Sequence, residues 1–256
     1  MTILAVIILS LVEGTSEFLP ISSTGHLILA SRLLQIPPTE FVKTFTIVIQ
    51  LGAILAVLVL YFPRLIRNFK LWSKIIAAFI PTALIGLVLY KFIKSFLLGN
   101  LLIDILSLFI GGVLIIVLEK IFAAKPRQLK TMDQLSLVKS GTIGLVQSIS
   151  VIPGVSRAAA TIFGGMGLGL TRQAATEFSF LLAIPTMAAA AGLDLIKTRL
   201  AFTSHEYLLI LIGFIGAFIS ALFTVKWLIN FVSRHSFIGF GIYRILLALV
   251  FFILLQ

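Results

Sequence analysis

Long apolar runs separated by short polar clusters make up most of the chain. Six of them, Phe45–Phe62, Ile75–Tyr90, Leu101–Phe122, Phe178–Ile196, Tyr207–Ile229 and Phe237–Leu255, predict helices that cross a bilayer. Two further apolar regions, residues 1–34 and 141–170, are broken in the middle, the first from Glu13 to His26 and the second from Gln147 to Arg157. Each leaves two short apolar arms around a polar centre that contains Pro and Gly. Irregular backbone of that kind survives at membrane depth only where protein or a water-filled cavity satisfies its N–H and C=O groups. Both regions therefore predict re-entrant helical hairpins in preference to single kinked spans.

The broken regions are related by a constant spacing. Leu11-Val12-Glu13 is answered by Leu145-Val146-Gln147, 134 residues later, and Phe45-Thr46 by Phe178-Ser179, 133 residues later. Each half, approximately residues 1–122 and 140–256, reads as one hairpin followed by three spans, with the charged stretch Lys120–Lys139 between them. Three is odd, so the second half enters the membrane inverted relative to the first. The expected fold is an all-α integral membrane protein, a single membrane domain over 1–256 built as an inverted-topology repeat. In such repeats the functional centre lies where the two discontinuous elements meet.

Composition supports a lipid environment. Hydrophobic residues are 60% of the chain and charged ones 11%, against about 25% charged in soluble domains. A soluble domain, a disordered chain and, with no Cys, a disulfide scaffold are excluded. The net charge of +11 reads as cationic loops facing anionic lipid; nucleic acid is not an expected partner. The loop Pro63–Lys74 carries Arg64, Arg67, Lys70 and Lys74, and the linker carries Lys120, Lys125, Arg127, Lys130 and Lys139. The opposite loops hold Lys91, Lys94, Lys197 and Arg199. The first set is expected in the cytoplasm, so the first hairpin opens outward and the second inward. The N-terminal stretch lacks the basic region of a signal peptide and reads as mature sequence.

Ionisable groups inside a bilayer are functional candidates. Glu13 and Glu17 are four residues apart, so on a helix they share a face. Two carboxylates there repel unless a cation sits between them or one stays protonated, and a hard divalent ion such as Mg²⁺ or Ca²⁺ takes oxygen ligands of this type. A wet helix end is the alternative. Ser22, Ser23, Thr24 and His26 follow closely and supply hydroxyls near a base, the requirement for nucleophilic catalysis. At least one of the hydroxyls is expected to cap the next helix. The second hairpin offers Gly154, Ser156, Arg157 and Thr161. Arg157 is the one basic residue expected deep in the bilayer. Its guanidinium suits phosphate oxygens at a helix N-terminus, or else an ion pair with Glu13 or Glu17. Asp104 and Asp194 read as wet span ends, and Glu177 as a possible support for the site.

The run Glu13-Gly-Thr-Ser-Glu17-Phe-Leu-Pro-Ile-Ser-Ser23-Thr-Gly-His26, with Pro153-Gly-Val-Ser156-Arg157, strongly resembles the undecaprenyl-diphosphate phosphatase family, the integral membrane bacitracin-resistance proteins of bacteria. The resemblance covers essentially the whole chain. It implies hydrolysis of undecaprenyl diphosphate to undecaprenyl phosphate and inorganic phosphate, on the outer side of the bacterial cytoplasmic membrane. It also implies divalent-cation dependence, a possible homodimer, and an active site of Glu13, Glu17, Ser23, His26 and Arg157. Ser22, Thr24, Gly154, Ser156 and Thr161 follow as substrate contacts. Where the family pattern continues Ser-Gly after the Arg, this chain has Ala158-Ala159, so no role carries over to position 158. The expected reaction has Ser23 attacking the terminal phosphorus with Glu17 or His26 as base, or water attacking directly. A transporter or lipid flippase with the same repeat is the alternative class.

Overall fold

The computed structural model of the chain describes residues 1–97, 99–123, 129–197 and 202–254. Lys125, Arg127 and Arg199 lie outside them. The helices run α1 (Ile3–Ser16), α2 (Ser23–Leu33), α3 (Glu40–Arg67), α4 (Phe69–Phe92), α5 (Leu101–Ala123), α6 (Leu137–Gln147), α7 (Arg157–Gly167), α8 (Arg172–Lys197), α9 (Ser204–Arg234) and α10 (Ile238–Leu254). One π turn, Ile93–Leu97, extends α4, and short 3-10 turns lie at Met132–Gln134 and Ser148–Val151. No strand is present among the described residues; Leu129 and Leu170 form an isolated bridge.

Helices α3, α4, α5, α8 and α9 are long and apolar enough to cross a membrane. The sixth expected span, α10, has 17 described helical residues, about 25 Å at 1.5 Å per residue. The long helices outrun the apolar windows that predicted them. Helix α3 continues through Pro63 to Arg67, and α4 begins one residue after Asn68, whose side chain accepts from Leu71 N at 3.2 Å. Their charged ends form a polar cap. Arg64 donates to Glu177 at 2.8 Å and to Asp133 at 3.1 Å, and Asn68 donates to Asp133 at 2.8 Å. Glu177 thus belongs to this cap and not to the polar centre of either hairpin.

The remaining helices are too short to span. Helix α1 has 14 residues and α2, α6 and α7 have 11 each, roughly 16–21 Å. They pack in pairs, α1 on α2 and α6 on α7. Helix α1 also packs on α9, and α6 on α4, the second long helix of the opposite half in each case. Both contacts are made at backbone distance. A Cβ on Gly14 would collide with the Ala217 carbonyl of α9, and one on Gly144 with the Ala78 carbonyl of α4. Only glycine permits that approach. Around this frame α3 packs on α8 and α9, and α5 on α10. Phe18, Phe178, Phe180 and Phe237 are fully buried in the main core. Leu87, Val88 and Phe223 are exposed, as lipid-facing side chains are in a bundle of this kind.

Candidate active site

Helix α1 closes at Ser16, but Glu17 keeps helical backbone angles and donates its N–H to the Glu13 carbonyl at 2.9 Å. The two carboxylates therefore stand one turn apart, as their spacing predicts. Both are buried, Glu13 at 1% and Glu17 at 7% exposure, which removes the wet helix end as an explanation. Among the described residues neither carboxylate oxygen of Glu13 meets a hydrogen-bond donor. The chain then turns through Phe18–Ile21 and enters α2 at Ser22, whose φ of +71° is unusual for a residue with a Cβ. Such strain persists where the surroundings hold it, often at functional sites. Ser22 occupies the cap position of α2 but makes no side-chain capping bond. The Ser23 hydroxyl goes elsewhere as well: it donates to Glu17 Oε2 in a short bond. The expectation that a hydroxyl of this cluster caps α2 is therefore not met; the carboxylate competes for Ser23 more strongly. Thr24 is exposed.

The second hairpin brings Arg157 to the same carboxylate. Ser156 caps α7 by accepting from Ala159 N at 3.1 Å, and its hydroxyl lies 3.5 Å from the Leu19 carbonyl of the first hairpin. Arg157 is the first residue of α7. Its Nη2 donates to Glu17 Oε1 at 3.3 Å and its Nη1 to the Ser179 carbonyl at 3.0 Å, while Nε–H has no acceptor among the described residues. Glu17 is thus held on both oxygens, by Ser23 on one and Arg157 on the other. The ion pair that the sequence offered as an alternative is present, and it leaves the Nε–H edge of the guanidinium unused. Thr161 sits behind this contact, fully buried, bonded to the Arg157 carbonyl at 2.9 Å and to the Ser179 hydroxyl at 2.5 Å. Gly154 has φ +82°, and a Cβ there would lie 2.7 Å from the Asp104 carbonyl of α5; only glycine fits the turn.

His26 lies apart from the Ser23–Glu17 bond. Its Nδ1 is 2.7 Å from the Ser22 carbonyl and its Nε2 is 2.8 Å from the Tyr243 hydroxyl, with the two rings stacked. Tyr243 and Arg244 are residues the sequence reading passed over. Arg244 is 1% exposed and bonds four backbone carbonyls around the two turns. Arg157 is therefore not the only deeply placed cation. The signal was available, a basic residue inside the apolar run Phe237–Leu255, but the run was read only for its length. Asp104 also departs from expectation: at 1% exposure it is a buried neighbour of the second turn and not a wet end. Asp194 accepts from the Tyr90 hydroxyl at 3.2 Å.

Among the described residues no three His, Cys, Asp or Glu side chains converge as a metal cluster. A hard divalent ion that keeps its waters and takes one or two carboxylates plus phosphate oxygens does not need one. The unpartnered oxygens of Glu13, one turn from Glu17, fit that requirement.

A bundle of long apolar helices, with a hydroxyl, two carboxylates and a guanidinium gathered where two short hairpins meet, defines an α-helical multi-pass membrane protein with a buried polar site. Its family follows from comparison with known proteins. The model of the family described as "Bacitracin resistance protein BacA" matches residues 6–250. The undecaprenyl-diphosphatase of Aquifex aeolicus is 55% identical over 245 residues, 96% of this chain and 95% of that protein. Those of Bdellovibrio bacteriovorus and Thermus thermophilus are each 46% identical, over 100% and 96% of this chain and 97% and 94% of their own lengths. The chain belongs to the BacA family.

Proposed function

We propose that this chain hydrolyses undecaprenyl diphosphate to undecaprenyl phosphate and inorganic phosphate, returning the lipid carrier to peptidoglycan synthesis and thereby conferring bacitracin resistance. The name shared by its relatives supports the substrate. The observation that carries the chemistry is the Ser23–Glu17–Arg157 contact, a hydroxyl donating to a carboxylate that a guanidinium steadies from the other hairpin.

In this reading the isoprenoid tail stays in lipid and the diphosphate enters between the hairpin turns. Ser23 Oγ attacks the terminal phosphorus as its proton passes to Glu17, already its hydrogen-bond acceptor. A new Oγ–P bond forms and the bridging P–O bond breaks, with undecaprenyl phosphate as leaving group. Water then attacks the phosphoseryl group, releasing inorganic phosphate and restoring Ser23. Arg157 turns from Glu17 toward the phosphoryl oxygens, where its planar fork stabilises charge that grows in the transition state. Glu13 and Glu17 would hold a divalent cation, Mg²⁺ or Ca²⁺, which when bound supplies further charge neutralisation. Gly154 and Ser156 shape the turn that presents Arg157, and Ser22 the one that presents Ser23.

The basic loop Arg64–Lys74 argues for a cytoplasmic position of that face. The first hairpin then opens to the outer side of the bacterial cytoplasmic membrane, and the second half repeats the first in inverted orientation. The helix order, one short pair followed by three longer helices in each half, supports that arrangement. The test is phosphate release by purified protein given undecaprenyl diphosphate with Mg²⁺ or Ca²⁺. Release that stops with chelator is the expected result. No release, with intact protein, would put the transporter or lipid-flippase reading first.

A further inference from the structure

We propose that Tyr243 and Arg244, adjacent on α10, are positioning residues for this site: Arg244 locks the two hairpin turns together and Tyr243 fixes the tautomer of His26. The inference rests on the hydrolase reading above.

The first turn, and the second after its short 3-10 stretch Ser148–Val151, lie outside any helix, so their carbonyls need donors from elsewhere. Arg244 supplies them. Its Nη1 donates to the Pro20 carbonyl of the first turn at 3.2 Å, and its Nη2 to the Gly154 carbonyl of the second at 2.9 Å. The same side chain is anchored on α5, with Nη2 donating to Ser107 O at 2.9 Å and Nε to Leu108 O at 3.3 Å. It reaches them because α5 carries Gly111 where any Cβ would collide with the guanidinium. Among the described residues Arg244 forms no ion pair with a carboxylate. A buried guanidinium without a counter-ion is costly, and here carbonyl dipoles from three separate segments solvate it. The geometry suits a clamp: one rigid fork ties the turn before Ser23 to the turn before Arg157.

Tyr243 completes the arrangement on the first side. A carbonyl oxygen only accepts, so the nitrogen facing Ser22 O, Nδ1, carries the proton. Nε2 of the neutral ring is then an acceptor, and the Tyr243 hydroxyl donates to it. With both nitrogens engaged, His26 acts on the Ser22 peptide, whose φ is held at +71° and which precedes Ser23. The line from Tyr243 through His26 to the Ser22 carbonyl aims the nucleophile without contacting substrate.

The test uses full-length protein labelled with ¹⁵N-histidine, which has only three His residues to assign. In wild type the His26 spectrum is expected to show a protonated Nδ1 and an unprotonated Nε2 moved from the free-imine position by its hydrogen bond. Tyr243→Phe should shift Nε2 toward the free position and lower kcat by about tenfold with KM unchanged, the scale of a lost orienting hydrogen bond. Arg244→Lys, which keeps the charge and loses the fork, should lower kcat by about 100-fold with KM again unchanged, in protein that elutes as wild type. An unmoved His26 spectrum or wild-type kcat in Tyr243→Phe overturns the assignment for Tyr243. Wild-type kcat in Arg244→Lys overturns it for Arg244. If wild-type protein itself releases no phosphate, the hydrolase reading fails instead, and the ¹⁵N spectra still decide the hydrogen bond.

Discussion

The two hairpins present corresponding positions in opposite electrostatic conditions. In the first, Glu13 is buried with both carboxylate oxygens unpartnered. In the second, Gln147 stands 134 residues on and donates through Nε2 to Thr82 at 2.9 Å and to Thr186 at 3.2 Å. Helices α4 and α8 close round the amide, and Thr82 passes its own hydrogen to the Gly144 carbonyl at 2.7 Å. One hairpin holds a buried acid beside a second carboxylate; the other holds a neutral amide whose nitrogen is bonded and whose oxygen, among the described residues, is not. Their turns differ the same way, the first ending in Ser23 and the second in Arg157. In the proposed mechanism a related scaffold thus supplies nucleophile and base on one side and anion binding on the other. Joining them at Glu17 makes the site.

The most damaging way to break that division is to remove the nucleophile. Ser23→Ala should reduce phosphate release by about 10³-fold or more, since among the described residues no other hydroxyl bonds Glu17. The fold should survive, because Ser23 caps no helix. Residual turnover within tenfold of wild type would mean that water attacks directly and that Ser23 only orients substrate. Acid-quenched protein from a burst experiment, probed for phosphoserine, separates the two routes.

Next in size is the anion side. Arg157→Lys retains a positive charge and loses the planar fork, so turnover should fall by about 10²-fold. Lysine should still pair with Glu17, keeping the thermal midpoint near that of wild type. Near-normal turnover would assign Arg157 to the ion pair alone.

Glu13→Gln then makes the first hairpin resemble the second. The half-saturating cation concentration should rise by about tenfold, with much of the rate recovered when Mg²⁺ or Ca²⁺ is raised. Titrating the cation against initial rate checks this. An unchanged titration would place the ion elsewhere.

Much of this division was legible in the residues themselves. Apolar runs marked the spans, and their interruption by Pro, Gly and charge marked the hairpins, because broken backbone in lipid has few solutions. Glu13, Glu17, Ser23 and Arg157 stood out as polar groups where a membrane penalises them. What escaped was the pairing. Periodicity cannot show that Glu17 engages Ser23 and Arg157 at once, that His26 turns to Tyr243, or that Glu177 joins Arg64; those are tertiary choices made among several available partners. Arg244 was missed for a different reason: a run of 17 helical residues tolerates one Arg in its average hydropathy, so the window that found α10 also concealed it. Asp104 was misplaced because nearness to a span end in sequence was equated with nearness to water, whereas the second turn folds over it.

The smallest effect is expected where the comparison says the second hairpin has no chemistry to lose. Gln147 is fully buried, but each of its partners is also bonded independently. Thr82 donates to Gly144 O, and Thr186 donates to the Leu182 carbonyl at 2.7 Å. Gln147→Leu therefore strands no hydrogen-bond donor on either threonine, and it removes a buried amide oxygen that has no partner. Lost bonds of about 1 kcal/mol each are offset by relief of a desolvation penalty of similar size, and leucine is close to glutamine in volume. Stability should move by no more than about 1 kcal/mol, a few degrees in thermal midpoint at most, with kcat and cation response as in wild type. A tenfold loss of turnover would show that the second hairpin takes part in the reaction through more than Arg157, and the division of labour between the hairpins would have to be redrawn.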